Sequence, residues 1–220
     1  MSLGDVFLVR HAESQHNVDK NFQQLDPPLT TAGSAAATQF GSTFPFSDTV
    51  GVVLSSPSQR AIQTALAAFS NILERRYFEP SSGKGIDEGA TLVIDLDAQE
   101  QSTLPCDTCS DRETLLHMFP LLDFSRLPGG EEKAWKSKTG RYSAEKEVIE
   151  ARVVRLCETL EGLLASQQSH SRRHVVVVTH GVFMKALTGD SNIDLPRPGY
   201  AAYNLRWEKE DRPPRLVAAR

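Results

Sequence analysis

Val6-Phe7-Leu8-Val9 runs directly into Arg10-His11, so a continuous apolar stretch delivers two polar side chains at its carboxyl end. An unbroken apolar run of this length predicts a strand covered on both faces, as the strands of a parallel sheet are. Val50-Gly51-Val52-Val53-Leu54, Thr91-Leu92-Val93-Ile94-Asp95 and Val175-Val176-Val177-Val178 repeat the pattern, and Tyr203-Asn204-Leu205-Arg206-Trp207 alternates like a final strand.

Helical signals lie between these runs. Thr30 or Thr31 is placed to cap a helix through Gly33 to Phe40, with Pro45 near its end. Ser55-Ser56-Pro57 reads as a helix start, a capping hydroxyl followed by proline at the first helical position, and Ala61, Ile62, Ala65, Leu66 and Phe69 continue at helical spacing. That puts Arg60 in a first turn. From Glu145 to about Gln168, the residues Ile149, Val153, Leu156, Leu160, Leu163 and Leu164 share one face. Gly181 to Leu187 reads as a helix leaving the Val175–Val178 strand. Strands alternating with helices predict an α/β fold, a three-layer α/β/α sandwich on a mostly parallel central sheet.

A chain of 220 residues suits one domain. Residues 101–144, with short apolar patches, Pro128-Gly129-Gly130 and scattered lysines, are expected to form a substrate-covering insertion beside the sheet. Lys133, Lys136, Lys138 and Arg141 around Trp135 read as a solvated face rather than a clamp for a second anionic group. Pro80-Ser81-Ser82-Gly83-Lys84-Gly85 lacks phosphate-loop spacing and reads as a turn.

The formal net charge of −4 argues against a nucleic-acid surface. No apolar run approaches the length needed to cross a bilayer, and no secretory segment is evident, so no membrane partner is expected. Three cysteines, Cys106, Cys109 and Cys157, are an odd number that suits a reducing compartment, with cytoplasm the default. Cys106-Asp107-Thr108-Cys109 has no second pair and reads as coincidence. His16, His117, His170 and His174 carry no motif and read as structural.

Ligands of parallel sheets bind beyond the carboxyl ends of the strands. Arg10-His11, Arg60 and His180-Gly181 are all expected there, two arginines and two histidines beside a helix N-terminus, which is an anion site. The arginines repel a cation, and no carboxylate or cysteine has recognised ligand spacing, so no metal and no cofactor is expected.

Leu8-Val9-Arg10-His11-Ala12-Glu13-Ser14 with Asn17, Ser55-Ser56-Pro57-Ser58-Gln59-Arg60-Ala61-Ile62-Gln63-Thr64-Ala65, and Val178-Thr179-His180-Gly181 occur in this order. Together they resemble the three signature blocks of the histidine phosphatase, or phosphoglycerate mutase-like, superfamily. Glu100-Gln101-Ser102 with Leu104-Pro105-Cys106-Asp107-Thr108 and Ser110-Asp111 is similar to a fungal branch of phosphomutase-like proteins, which favours phosphatase over mutase.

The resemblance implies a metal-independent phosphatase acting on a small phosphorylated substrate through a phosphohistidine on His11. Arg10, Arg60 and His180 would hold the phosphate oxygens, with Asn17 and Gly181 in the same binding set. Glu100 would be the proton donor, because it follows the third strand, where the family places its acid; Asp97, Asp107 and Asp111 are rivals. A neutral imidazole is a competent nucleophile, and surrounding arginines favour neutrality. Ala12 and Cys109 depart from the family pattern, where glycine is usual, and Ala12 would be strained if its φ were positive. A phosphoglycerate mutase-like transferase, a protein phosphatase and a catalytically weak binding or regulatory protein are the alternatives. Substrate identity and oligomeric state are not legible.

Overall fold

The computed structural model describes residues 4–127, 135–168, 170–207 and 214–219. Its strands are β1 (Val6–Arg10), β2 (Val50–Ser55), β3 (Thr91–Ile94), β4 (His174–Thr179), β5 (Gly199–Arg206) and β6 (Arg215–Ala218), in the order β3-β2-β4-β1-β5-β6. The first four run parallel; β5 lies antiparallel to β1, and β6 antiparallel to β5. The helices are α1 (Gln15–Asp19), α2 (Thr31–Thr43), α3 (Gln59–Ala68), α4 (Arg112–Met118), α5 (Lys146–Ser166) and α6 (Gly181–Thr188). This is the mostly parallel α/β sandwich that the apolar runs predict.

Side chains on a strand alternate between faces, so each central run feeds two cores. Phe7, Val9, Val53, Val176 and Val178 face one layer, where α3 contributes Ala61, Ile62 and Ala65. Val6, Leu8, Val52, Leu54, Val175 and Val177 face the other, against Ile149, Leu156, Leu160 and Leu164 of α5 and Phe183, Met184 and Leu187 of α6. Each such side chain, fully buried, contributes roughly 1.5–3 kcal/mol, which fixes the sheet and hence the strand ends. Helix α2 packs on α3, and Gly41 permits it, because a Cβ there would collide with the Ala68 carbonyl.

Four expectations are corrected. Helix α3 begins at Gln59 with Ser58 in extended N-cap geometry, not at Pro57; the Ser56 hydroxyl is spent on His180 instead. Within the segment after β3, Leu115, Leu122, Phe124, Leu127, Trp135 and Tyr142 are buried in the same core as Phe7, so this segment completes one layer. Lys138 is likewise buried and not part of a solvated face; Lys133 and Pro128-Gly129-Gly130 lie outside the described residues. The last expected strand starts earlier, at Gly199, and β6 was not foreseen. Among the described residues no helix is long and apolar enough to cross a membrane.

Candidate active site

Each parallel strand ends in a polar side chain at the same rim: His11 after β1, Ser56 and Arg60 after β2, Glu100 after β3, His180 after β4. The His11 and His180 rings stand 5.2 Å apart, centroid to centroid. His11 Nδ1 lies 2.7 Å from the Ala12 carbonyl oxygen, which can only accept, so Nδ1 carries the proton and Nε2 keeps a lone pair. Arg60 Nε donates to that Nε2 at 3.3 Å.

Arg60 is almost wholly buried, and its other donors are committed as well. Nη1 donates to the Cys106 carbonyl at 2.6 Å, and Nη2 to Asp107 Oδ1 at 2.8 Å and His180 Nδ1 at 3.1 Å. Since a guanidinium never accepts, His180 Nδ1 is the acceptor, and its Nε2–H donates to Ser56 Oγ at 2.8 Å. Both histidines are therefore neutral. Burial first, then the adjacent Arg60 charge, hold both well below the ordinary imidazole pKa.

Arg10 Nη1 donates to Asp194 Oδ1 at 2.5 Å and to the Leu195 carbonyl at 2.7 Å. Its Nε is buried without a partner among the described residues, a donor left over for an anion. The guanidinium lies against Gly181, where a Cβ would stand 2.7 Å from Nη2; glycine is what lets Arg10 reach the start of α6.

Glu100 is buried at that same helix start. Its Oε1 accepts from Phe183 N at 2.9 Å and Gln101 N at 2.8 Å, and Oε2 from Val182 N at 3.1 Å. Burial raises its pKa above the ordinary carboxyl value, against the pull of those hydrogen bonds. Lys138 supports it from behind, donating to the Glu100 carbonyl and to Gln99 Oε1, each at 2.6 Å.

The rival acids differ in what they do. Asp97 is paired with Arg155 at 2.7 Å, and Asp111 caps α4 while meeting Lys136 at 3.2 Å; Asp107 alone of the three lies in the site. Asn17 is turned elsewhere: its Oδ1 accepts from Ser14 N and Oγ, and its Nδ2 faces His16, the capping box of α1.

Ala12 is not among the residues with positive φ and is fully buried, so alanine there needs no strained backbone. Sequence reasoning missed Ser56, taken for a cap; His16, whose ring lies 6.5 Å from that of His11; and Arg197, whose charge acts on both histidines. Only the third had a signal, a cation in a proline-flanked loop. Cys106, Cys109 and Cys157 are free and buried, and burial pushes their thiols up to about 11, 12 and 12.

A parallel sheet whose carboxyl edge carries a tautomer-fixed imidazole between arginines defines an α/β protein with a cationic pocket at the strand ends. Residues 6–76 match the family model of the histidine phosphatase superfamily (branch 1), the family that this stretch of the chain is similar to. It is 24% identical over 203 residues to phosphoglycerate mutase-like protein 1 of Arabidopsis thaliana, covering 81% of this chain and 68% of the relative. Among solved structures it is similar in fold to a mycobacterial glucosyl-3-phosphoglycerate phosphatase, with 16% identity, a TM-score of 0.57 and 98% of each chain covered. A phosphoserine phosphatase from Entamoeba histolytica, solved with phosphoserine, is similar at 16% identity and a TM-score of 0.52, covering 98% of this chain and 96% of its own.

Proposed function

We propose that the protein is a metal-independent phosphoric monoester hydrolase with His11 as nucleophile. The observation that carries this reading is the 2.7 Å bond from His11 Nδ1 to the Ala12 carbonyl, which leaves the lone pair on Nε2, where Arg60 Nε now donates and where an anion gathered by the arginines would take its place. Nε2 attacks phosphorus in line, forming the N–P bond as the ester P–O bond breaks. Glu100, whose pKa burial raises, gives a proton to the leaving oxygen when it carries one. Water then attacks the phosphohistidine, returns a proton to Glu100 and releases inorganic phosphate.

Arg10 and Arg60 neutralise the charge on the equatorial oxygens once the phosphate has taken the Arg60 donors from the Cys106–Asp107 turn. His180, neutral, offers an N–H to the same oxygens after leaving Ser56; Gly181 gives Arg10 its approach. A small substrate fits best, because the turn carrying Cys106 and Asp107 packs directly on Arg60 and narrows the approach to it. The two phosphatases of similar fold are named for small phosphorylated molecules, glucosyl-3-phosphoglycerate and phosphoserine, which supports the same class here. Three free cysteines suit the cytoplasm.

Phosphate release is to be measured from sugar phosphates, phosphoglycerates, phosphoserine, nucleotides and phosphopeptides, with EDTA present and with His11→Ala as control. The expected result is release from a small ester that survives EDTA, vanishes in the variant and passes through an acid-labile phosphoenzyme. Isomerised substrate without free phosphate would establish a mutase, and release that persists in His11→Ala would overturn the reading.

A further inference from the structure

Beside the site, one nitrogen of His16, the sulfur of Cys106 and a carboxylate oxygen of Asp107 all lie within 4.8 Å of one another. Two of the three residues are buried and the third is half-buried. We propose that His16, Cys106 and Asp107 bind a zinc-type divalent cation, and that its occupancy shuts the phosphate site. The binding half stands on these residues alone; the inhibitory half rests on the phosphatase reading above.

The donor set is one nitrogen, one sulfur and one oxygen, which suits a borderline ion such as Zn²⁺ and leaves a fourth, open position. The His16 ring has one nitrogen facing a hydroxyl and the other facing an amide, so one of them offers a lone pair. Ser14 Oγ donates to Asn17 Oδ1 and so accepts from His16 Nδ1 at 3.0 Å, which leaves the lone pair on Nε2, now facing the Asn17 amide at 3.0 Å. An incoming ion displaces that amide, while Ser14 stays behind Nδ1–H to hold the ring, as outer-shell acceptors do.

The Cys106 sulfur already lies within 4.8 Å of an Asp107 carboxylate oxygen. The ion takes the place of the thiol proton, which is released to solvent. Asp107 meets Arg60 through Oδ1. The carboxylate and thiolate together match the two charges of the ion, so Arg60 faces a neutral cluster and does not repel it.

The turn that would bind the ion also ties up Arg60, through the Cys106 carbonyl on Nη1 and Asp107 on Nη2. A phosphate must take those donors from the turn. A cation that joins the turn to His16 of α1 keeps it in place, and the substrate loses its principal cationic holder. Inhibition is therefore competitive with substrate.

The test is to titrate the full metal-free chain with Co²⁺, then displace it with Zn²⁺. A sulfur-to-cobalt charge-transfer band is expected at one equivalent, lost in Cys106→Ser, weakened in His16→Asn and kept in Cys109→Ala and Cys157→Ala. Zn²⁺ should raise KM at concentrations about tenfold or more below those needed for Cys106→Ser. No band, or a band that persists in Cys106→Ser, overturns the site; should that variant not fold, persistence in His16→Asn does so. A band without any rise in KM overturns the switch and leaves the hydrolase intact. A chain that hydrolyses nothing but shows the band refutes the function and not the site.

Discussion

Thr64 Oγ1 accepts the Ala12 N–H at 3.0 Å and donates to the Arg60 carbonyl at 2.6 Å. One hydroxyl on α3 thus ties the residue that fixes the His11 tautomer to the residue that faces His11. Thr64→Val keeps the shape and strands a buried N–H, at a cost of about 1–3 kcal/mol. We expect a lower Tm and about a tenfold lower kcat/KM; a variant equal to wild type in both would show that the tie does nothing.

Arg60→Lys retains the charge but loses the planar fork that reaches His11, Cys106, Asp107 and His180. Steady-state kinetics should show kcat/KM down by on the order of 10²-fold or more. A loss of only a few-fold would mean that Arg10 or Arg197 is the principal phosphate holder.

The strand ends were legible because a continuous apolar run followed by a polar residue can be read without knowing the contacts, as in Val6–Val9 before Arg10-His11. Ser56 was not, since a serine before proline at a strand end has the same local signature whether it caps a helix or faces a histidine. Lys138 and Trp135 misled for a related reason. A lysine reads as solvated unless something buried awaits its ammonium, and Gln99 and the Glu100 carbonyl come from another part of the chain. His16 follows His11 too closely to suggest a separate role, and only the turn at Cys106 and Asp107 gives it neighbours.

The pH profile carries signs that can be worked out. His11 must be neutral, and its pKa lies well below the ordinary 6.5, so kcat/KM should hold down through pH 6.5 and fall only at more acid values. With Glu100 as the proposed proton donor and its pKa raised, the alkaline limb should belong to it and disappear, at a lower rate, in Glu100→Gln. An acid limb near 6.5 would contradict the burial of His11.

Stability follows the same histidines. Between about 4 and 6.5 the unfolded chain binds a proton at residue 16 that the folded chain refuses, and His11 and His180 act in the same direction. Unfolding free energy should therefore drop as pH falls from 6.5 towards 4. Denaturant titrations at several pH values should show a shallower slope in His16→Asn; an unchanged slope would place His16 in solvent.

Lys138→Met removes an ammonium that holds Gln99 Oε1 and the Glu100 carbonyl. With two buried acceptors left short, we expect a loss of about 1–3 kcal/mol, and kcat to fall more than KM because Glu100 is displaced while the arginines are not. A fall confined to KM would move Lys138 from the acid to the substrate.

His11 leaves β1 and His180 leaves β4, and these strands are hydrogen-bonded neighbours although almost the whole chain separates them. During synthesis the first strand therefore waits on the ribosome for a partner made late, as non-local parallel pairings must. An unfinished chain carries His11 with neither His180 beside it nor the strand that fixes its place, so the two rings meet only after β4 has been made.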